Sequence, residues 1–262
     1  MPDDKTQDFM DFALEVIREA GGIAGKYFRT SIVVDEKGDG ARFDPVTVAD
    51  REIEALIRAR ISTRFPDHSI LGEEEGLQEG DSTYRWVIDP VDGTRAFISG
   101  SPLWGILLGL MEGNKCLLGL MHQPYINETF TGSSTGAFLE RGAERHQIHT
   151  RATKELREAI LYCTHPSMFD KNDYLRFIGV AERCRMMRYG GDCYSYCMLA
   201  SGFIDLVIES LGGPYDIIPL IPVIEAAGGI VTDWDGGLAN SGGRIIAAAT
   251  PALHDQALSL LK

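Results

Sequence analysis

Two aspartates placed three positions apart follow an apolar run in the segment WVIDPVDGTRAF, residues 86–97. The apolar residues 86–88 predict a buried strand that delivers Asp89 at its carboxyl end, and Asp92 precedes a Gly-Thr pair that can start a helix. An Asx turn with a helix N-cap explains one aspartate and leaves the second unexplained. Because neighbouring carboxylates repel each other, the pair favours a bound cation, and hard ions such as Mg²⁺ prefer oxygen ligands.

The Gly-Thr pair adds an anion-binding feature to the same segment. The amide N–H groups of Gly93 and Thr94 at a helix start would face an anion, and the carbonyl of Val91 is a further oxygen ligand. Haloacid-dehalogenase phosphatases also carry an aspartate before Gly-Thr, but their two aspartates are two positions apart, whereas Asp89 and Asp92 are three apart. A covalent aspartyl-phosphate is therefore not the favoured chemistry.

Three further acidic positions each have a plain structural interpretation beside a functional one. The glutamates of GEEEG, residues 72–76, are typical of a solvated turn, and Thr47 with Asp50 forms a capping-box pattern before a predicted helix. Asp216 lies among apolar neighbours in GGPYDIIPLIPVIEAAGG, residues 212–229. Its charge would be costly there unless it is paired or metal-bound, although an acid at a helix N-terminus is the simpler alternative.

The composition is that of a globular protein with one large domain or two smaller ones, because 44% of its 262 residues are hydrophobic. The net charge of −13, without a Lys/Arg cluster, argues against a nucleic-acid partner. Residues 1–22 lack the features of a signal peptide and no apolar run reaches membrane-spanning length, so we expect a cytoplasmic protein with no membrane partner. The five cysteines favour neither a disulfide framework nor a zinc site.

The apolar spacing predicts two halves that divide near residue 145. Residues 1–145 are predicted to be α+β, with helices over 9–20 and after Asp50, and with strands at 31–34, 85–88, 104–112, 116–122, 128–131 and 136–140. Residues 146–262 are predicted to be α/β. They alternate strands (159–163, 184–188, 204–209, 245–249) with helices (167–178, 192–201, 215–227, 251–261). The pair Gly21-Gly22 within the first helix indicates close packing or a bend. The spacing of Cys193 and Cys197 predicts that they lie on one buried face of a helix.

Three segments taken in order, GEE, WVIDPVDGTRAF and PYDIIPLIPVIEAAGG, resemble the inositol monophosphatase family, the Mg²⁺-dependent, lithium-sensitive phosphomonoesterases. The similarity runs from DPVTVADREIE to AAGGIVTDWDGG. Within the family, FISGSPLWGILLGL, HQPYINETFTG and RYGGDCYSY make the chain most similar to histidinol-phosphate phosphatases. The resemblance implies a layered αβαβα sandwich of the inositol monophosphatase and fructose-1,6-bisphosphatase type, and a homodimer.

The resemblance further implies two Mg²⁺ ions and allows a third, looser ion beside Glu73. Glu73, Asp89 and the Val91 carbonyl would hold the first ion, and Asp89, Asp92 and Asp216 would hold the second. Two ions roughly 3.5–4 Å apart would activate a water and neutralise the leaving oxygen of a phosphomonoester. The first half would then carry most metal ligands, and the second half Asp216 and the residues of substrate specificity.

For the attacking water, the resemblance makes Glu73 the candidate for positioning and deprotonation, with Thr94 and Asp50 behind it. The Gly-Thr pair matches the family's phosphate-binding positions. A basic residue usually precedes the Thr-x-x-Asp element of the family, and Lys37 and Arg42 compete for that role. No Ser, Cys or His nucleophile is required.

Substrate choice is expected to come from the second half. Asp192 in RYGGDCYSY either caps a helix or points into the pocket, and Glu209 and Asp216 match positions near the organic part of the substrate. Two carboxylates suit L-histidinol phosphate, whose ammonium and imidazole groups donate hydrogen bonds and can carry charge. We therefore predict a histidinol-phosphatase of histidine biosynthesis that releases L-histidinol and phosphate.

Two alternatives stay open. One is a phosphatase of the same fold that acts on inositol 1-phosphate or on a broader set of monoesters, including sugar bisphosphates. A version specific for 3′-phosphorylated nucleotides predicts an adenine pocket and longer insertions. The other alternative is a non-catalytic metal-binding protein, which predicts the loss of at least one ligand, whereas all the expected acidic positions are present.

Overall fold

The computed structural model describes residues 4–31, 34–36 and 45–262. Lys37 and Arg42, the two candidates for the basic role, lie outside the described residues. Residues 32 and 33 of the predicted strand 31–34 also lie outside them, and the strand described there is β1 (Val34–Glu36).

The described residues form seven α-helices. They are α1 (Asp4–Tyr27), α2 (Val48–Arg64), α3 (Thr94–Ile98), α4 (Lys171–Ala181), α5 (Asp192–Ala200), α6 (Ile221–Ala226) and α7 (Pro251–Leu261). In α1 the buried residues Phe9, Ala13, Val16, Ile17 and Ala20 recur at the helical period and form the face that meets the protein interior. The bounds of α5 and α7 agree with the predicted ranges to within one residue.

Two large sheets carry most of the strands. β1 pairs with β2 (Pro45–Thr47) in a separate ribbon. The eight-stranded sheet has the order β10 (Glu144–Gln147), β9 (Gly136–Arg141), β8 (Glu128–Ser133), β7 (Lys115–Gln123), β6 (Gly105–Glu112), β5 (Tyr84–Asp92), β3 (Ser69–Gly72), β4 (Gly76–Gln78). The five-stranded sheet has the order β12 (Met186–Tyr189), β11 (Ile160–Cys163), β13 (Leu206–Leu211), β15 (Gly243–Ala248), β14 (Ile230–Asp233).

Helices and sheets alternate in five layers, so the predicted αβαβα sandwich is confirmed. α1 and α2 cover one face of the eight-stranded sheet, α5 and α6 lie between the two sheets, and α4 and α7 cover the far face of the five-stranded sheet. Side chains alternate across each strand, so Leu107 faces the central layer while Ile106 and Leu108 face α1 and α2. The central core joins both sheets, and the division near residue 145 stays a prediction.

Glycine and proline explain several departures from the predicted elements. α1 continues through Gly21 and Gly22, and a Cβ at Gly21 would lie 2.6 Å from Nε2 of His122, so the glycine serves close packing. The predicted helix 215–227 is a 3₁₀ turn, Pro214–Asp216, followed by the short α6, because prolines lack the N–H that a continuous helix needs. The predicted helix 167–178 begins later, at Lys171, after the N-cap Asp170.

The short strands β2, β3, β4, β10 and β14 were not predicted, because none of them contains a long apolar or alternating run. β10 spans the expected division between the halves. The cysteines are free, and Cys193 and Cys197 are buried on α5 as predicted. Among the described residues, no helix has both the length and the apolar character needed to span a membrane.

Candidate active site

The carboxyl end of β5 positions the two central carboxylates. Asp89 pairs with Leu107 of β6, the register then shifts, and Asp92 pairs with Gly105. Residues three apart on a regular strand point to opposite faces, so this irregularity allows both carboxylates to converge. The Val91 N–H donates to Oδ1 of Asp89 over 3.1 Å, which fixes the orientation of that side chain.

Asp216 reaches the same point from the second half of the chain. Its Oδ2 accepts a hydrogen bond of 2.9 Å from the N–H of Gly213 within the 3₁₀ turn. The segment that follows packs directly on β7, where a Cβ at Gly119 would lie 1.9 Å from the carbonyl oxygen of Pro219. One carboxylate oxygen each of Asp89, Asp92 and Asp216 lie within 4.8 Å of one another, and these three residues form the acidic cluster.

Glu73 joins the acidic cluster from the end of β3. Its backbone N–H donates to the Ile88 carbonyl over 3.2 Å, and its carboxyl group is hydrogen-bonded to Asp89. Burial raises the pKa of Asp89 well above its usual value, and the charges of Glu73, Asp92 and Asp216 raise it further. So many close carboxylates are costly without a compensating charge. Their oxygen-only donor set fits a hard divalent cation.

Thr94 and Asp50 occupy the elements next to the acidic cluster. Thr94 begins α3 and donates from Oγ1 to the carbonyl of Val91 over 3.1 Å. Asp50 closes the predicted capping box, because its Oδ2 accepts from the N–H of Thr47 over 2.9 Å and from the Thr47 hydroxyl over 2.5 Å. β2, which ends at Thr47, packs against α3. The structure thus places the Thr-x-x-Asp element beside the Gly-Thr pair.

Asp192 lies at the start of α5, directly beside Gly93. Gly191 is the N-cap of α5, so the interpretation of Asp192 as a helix cap is wrong. Asp192 has a left-handed backbone, φ 44°, and a Cβ at Gly93 would lie 3.1 Å from its own Cβ. Burial raises the pKa of Asp192 to about 6, and the nearby Arg95 guanidinium opposes that shift.

The start of α5 also orients Asp92. The Cys193 N–H donates to Oδ2 of Asp92 over 2.6 Å. Burial raises the pKa of Asp92 well above its usual value, with Asp192 and Asp216 the strongest charged contributors, while the bond from Cys193 acts in the opposite direction. The start of α5 therefore affects Asp92 in two ways. The N–H of Cys193 fixes the orientation of its carboxylate, and Asp192 places a second negative charge nearby.

Glu209 lies one layer behind Asp192. It is 1% exposed, its Oε1 accepts from the N–H of Thr164 over 2.6 Å, and its Oε2 accepts from the hydroxyl of Tyr196 over 2.9 Å. Thr164 Oγ1 in turn accepts from the N–H of Asp192 over 3.1 Å. Burial raises the pKa of Glu209 to about 7, although the bonds from Thr164 and Tyr196 lower it. Glu209 is thus connected to Asp192 through Thr164.

A cavity of about 250 Å³ lies beside Gly190 and Gly191, the two residues that precede Asp192. It is lined by Leu103, Tyr162, Arg188, Tyr189, Gly190, Gly191, Tyr194, Ser195 and Met198. The Leu103 carbonyl oxygen would lie 3.0 Å from a Cβ at Gly93, so the cavity begins beside the Gly-Thr pair. We name it the tyrosine cavity.

Sequence reasoning missed several residues that the fold brings to this place. Tyr162, Thr164 and Arg188 lie at or just after the carboxyl ends of the parallel strands β11 and β12, and the carboxyl ends of such strands commonly form binding crevices. The position of these residues at the carboxyl ends of predicted strands could therefore have marked them as candidates. Arg95, which lies near Asp192, directly follows Thr94 in the most informative motif and offered a second signal.

The chain is similar to known proteins along nearly its whole length. A family model described as the inositol monophosphatase family matches residues 5–262. The chain is 38% identical, over 93% of its length and 72% of the relative's, to the Arabidopsis thaliana protein named bifunctional phosphatase IMPL2, chloroplastic. It is 34% identical to a histidinol-phosphatase of Chlorobaculum parvum, over 87% of the chain and 86% of the relative.

A solved structure of an inositol monophosphatase from Zymomonas mobilis is similar as well. It is 36% identical to the chain, with a TM-score of 0.86, and the match covers 97% of this chain and 98% of that one. The relatives thus include proteins named for two different substrates at similar identity.

Proposed function

Since the chain belongs to the inositol monophosphatase family and is a phosphatase of that family, we propose that it hydrolyses L-histidinol phosphate to L-histidinol and phosphate. This reaction would place the protein in histidine biosynthesis. The histidinol-phosphatase of Chlorobaculum parvum, which matches 87% of the chain, supports the proposal.

The observation that carries the choice of substrate is the position of Asp192 between the acidic cluster and the tyrosine cavity. A phosphate ester held beside Gly93 would extend its organic part past Asp192. The ammonium and imidazole groups of histidinol donate hydrogen bonds, and both can be positively charged, so they complement a carboxylate. A cavity of about 250 Å³ suits a group of that size.

We assign the acidic cluster and Glu73 to Mg²⁺. Glu73, Asp89 and the Val91 carbonyl would hold a first ion, Asp89, Asp92 and Asp216 a second, and Glu73 a third, looser one. When bound, Mg²⁺ supplies the positive charge that offsets the phosphate and the charge that develops on the attacking and leaving oxygens. The mutual repulsion of these carboxylates in a partly buried site supports the assignment.

The protein's own groups would then direct a water at the phosphorus. Glu73 positions this water and accepts its proton, with Thr94 and Asp50 behind it, while Gly93 and Thr94 bind the phosphate oxygens. A new P–O bond forms to the water oxygen, and the bond to the histidinol oxygen breaks. That oxygen takes up a proton from solvent water and leaves as the alcohol, and Glu73 releases the proton that it accepted to solvent. The Cys193 N–H orients Asp92 and keeps its carboxylate beside those of Asp89 and Asp216.

Substrate contacts are proposed for Asp192 and Asp216, and an indirect one for Glu209. Because both oxygens of Glu209 are engaged by Thr164 and Tyr196, its effect on the substrate would pass through the Thr164 hydroxyl to Asp192. We also propose a cytoplasmic homodimer, and the family resemblance supports the dimer. Residues 1–145 would contribute most of the metal ligands, and residues 146–262 would contribute Asp216 and the residues of substrate specificity.

Inositol-1-monophosphatase activity is the second candidate. The similarity to the Zymomonas mobilis enzyme favours it, and so does Arg188. Arg188 is the charged residue among those that line the tyrosine cavity, and its guanidinium repels a cationic group while it donates hydrogen bonds to hydroxyl groups.

The deciding experiment is phosphate release with Mg²⁺, compared for L-histidinol phosphate and myo-inositol 1-phosphate by kcat/KM, with EDTA as the control. We expect a preference for histidinol phosphate of roughly a hundredfold or more, which is about 2.7 kcal/mol of differential transition-state binding. An equal or reversed preference would instead assign the protein as an inositol-1-monophosphatase or as a phosphatase of general monoesters. Activity that survives EDTA would contradict the metal assignment.

A further inference from the structure

α2 carries a buried ion pair outside the acidic cluster. Nε of Arg58 donates to Oε1 of Glu54 over 2.8 Å, and the two side chains are 8% and 0% exposed. Taking two charges out of water is expensive, and their attraction offsets this only when the remaining polar atoms are hydrogen-bonded as well. The groups that bind the other polar atoms of Glu54 and Arg58 therefore indicate the role of the pair.

Within the part of the chain that the structure describes, the additional bonds of the pair lead to the turn after β3 and to the start of β4. Oε2 of Glu54 accepts from the N–H of Glu74 over 2.8 Å, and Oε1 accepts from the N–H of Glu75 over 3.0 Å. Nη2 of Arg58 donates to the carbonyl of Gly76 over 2.5 Å, and its Nε lies 3.5 Å from Oε2 of Glu75. The pair thus holds the backbone of Glu74 and Glu75 in the turn after β3, and of Gly76, the first residue of β4.

The pair also contacts the residue before Glu73. A Cβ at Gly72 would lie 2.1 Å from Oε1 of Glu54 and 2.7 Å from Nη2 of Arg58, so a side chain at this position would displace the pair. Glu73 therefore lies between Gly72, which packs on the pair, and Glu74, which is hydrogen-bonded to it. The N–H of Glu73 itself is hydrogen-bonded to the carbonyl of Ile88, so the backbone is fixed at Glu73 as well as at the residues before and after it.

We propose that Glu54 and Arg58 are positioning residues for Glu73. By fixing the backbone around Glu73, the pair directs the Glu73 carboxylate at Asp89 and at the water that it would deprotonate. Apolar side chains could fill the same space at less cost of desolvation, but they could not accept from two N–H groups and donate to a carbonyl of the same turn. The inference rests on the proposed function for the role of Glu73.

The test compares Glu54→Gln with Asp205→Asn in the full-length protein. Asp205 is a matched carboxylate at the amino end of β13: it is 0% exposed, and its Oδ2 accepts from the N–H of Ile160 over 2.8 Å and from Arg151 over 3.1 Å. Each variant is assayed for Tm, for Mg²⁺ affinity by titration calorimetry, and for kcat and KM with L-histidinol phosphate and with p-nitrophenyl phosphate.

We expect both variants to lower Tm, and only Glu54→Gln to weaken Mg²⁺ binding and to lower kcat. The loss of kcat should be roughly tenfold or more with KM little changed, since displacing a reacting group by about 1 Å can cost two orders of magnitude in rate. If Glu54→Gln lowers only Tm, or if Asp205→Asn lowers kcat and Mg²⁺ affinity equally, the pair is structural and the proposal is overturned.

Arg58→Lys covers the case in which Glu54→Gln does not fold. Lysine keeps the positive charge beside Glu54 but cannot reach Glu54 and the Gly76 carbonyl together, as the forked guanidinium does, so the same selective losses are expected in milder form. Mg²⁺ affinity is measured without turnover. A wild-type protein that hydrolyses neither ester would therefore refute the proposed function, while the calorimetry would still decide whether the pair positions Glu73.

Discussion

The N–H of Cys193 and Oδ2 of Asp92 form a hydrogen bond of 2.6 Å between residues 101 positions apart. The bond joins the first turn of α5 to the carboxyl end of β5, and so connects the central layer to the eight-stranded sheet at the acidic cluster. The orientation of Asp92 thus depends on how α5 packs against the eight-stranded sheet, and not on β5 alone.

Asp92→Asn should remove phosphatase activity with every substrate. The amide loses one anionic oxygen of the acidic cluster, and its NH₂ group would face either the N–H of Cys193 or the bound cation. We expect kcat to fall by roughly a thousandfold, about 4 kcal/mol, with weaker Mg²⁺ binding. Steady-state kinetics and calorimetry measure the two effects.

Asp170→Asn is the matched control for that substitution. Asp170 caps α4 through bonds to the N–H groups of Asn172 and Asp173, and asparagine is an equally good N-cap. Its activity should equal that of the wild type. An Asp92→Asn protein that keeps wild-type activity would exclude Asp92 from the metal site.

Asp192→Asn should alter selectivity more than turnover. Asparagine tolerates the left-handed φ of 44° at this position, so the start of α5 should be preserved. We expect kcat/KM for L-histidinol phosphate to fall by about tenfold, roughly 1.4 kcal/mol, and that for myo-inositol 1-phosphate to change much less. Equal losses for both substrates would show that Asp192 supports the site without selecting the substrate.

Alanine at Gly21 and at Gly22 should change stability in opposite directions. A Cβ at Gly21 would lie 2.6 Å from His122 and 3.0 Å from Pro124, whereas no neighbouring atom of the described residues lies within 4 Å of a Cβ at Gly22. Gly21→Ala should cost about 1–3 kcal/mol through overpacking, and Gly22→Ala should add about 0.5–1 kcal/mol because alanine favours a helix. Urea unfolding of the two variants checks this, and a Gly21→Ala protein as stable as Gly22→Ala would contradict the close contact between α1 and β7.

His122 should make the protein less stable in acid. Burial lowers its pKa from 6.5 to about 4, with Arg18 acting in the same direction and a bond involving the Glu128 backbone opposing it. The folded state therefore binds fewer protons than the unfolded state between these pH values. Stability is present above pH 6.5 and is lost as the pH falls towards 4, by up to about 3 kcal/mol.

His122→Gln removes this component because glutamine does not titrate. The free energy of unfolding, measured with urea at pH 7 and pH 4, should therefore fall less in the variant than in the wild type. The Thr129 hydroxyl, 2.9 Å from Nδ1 of His122, can still bond to the amide. An identical fall in both proteins would mean that His122 is not held neutral by the fold.

Much of the fold and the acidic residues of the site followed from local patterns. The apolar period in α1, the capping box of Thr47 and Asp50, and the strand that delivers Asp89 each depend on residues a few positions apart, because helical bonds, caps and side-chain alternation are short-range. The resemblance carried by WVIDPVDGTRAF led to the family. It also led to the acidic positions that the structure brings together.

Tertiary structure decided what those residues contact. The register shift turns Asp89 and Asp92 to one side, and the segment after Asp216 packs on Gly119 of β7. Thr164 and Tyr196 engage both oxygens of Glu209. All three arrangements depend on partners that are distant in sequence. The same is true of Glu54 and Arg58, which the sequence shows only as an i,i+4 pair. Burial and charge compensation depend on residues that are distant in sequence, so a local sequence pattern cannot predict them.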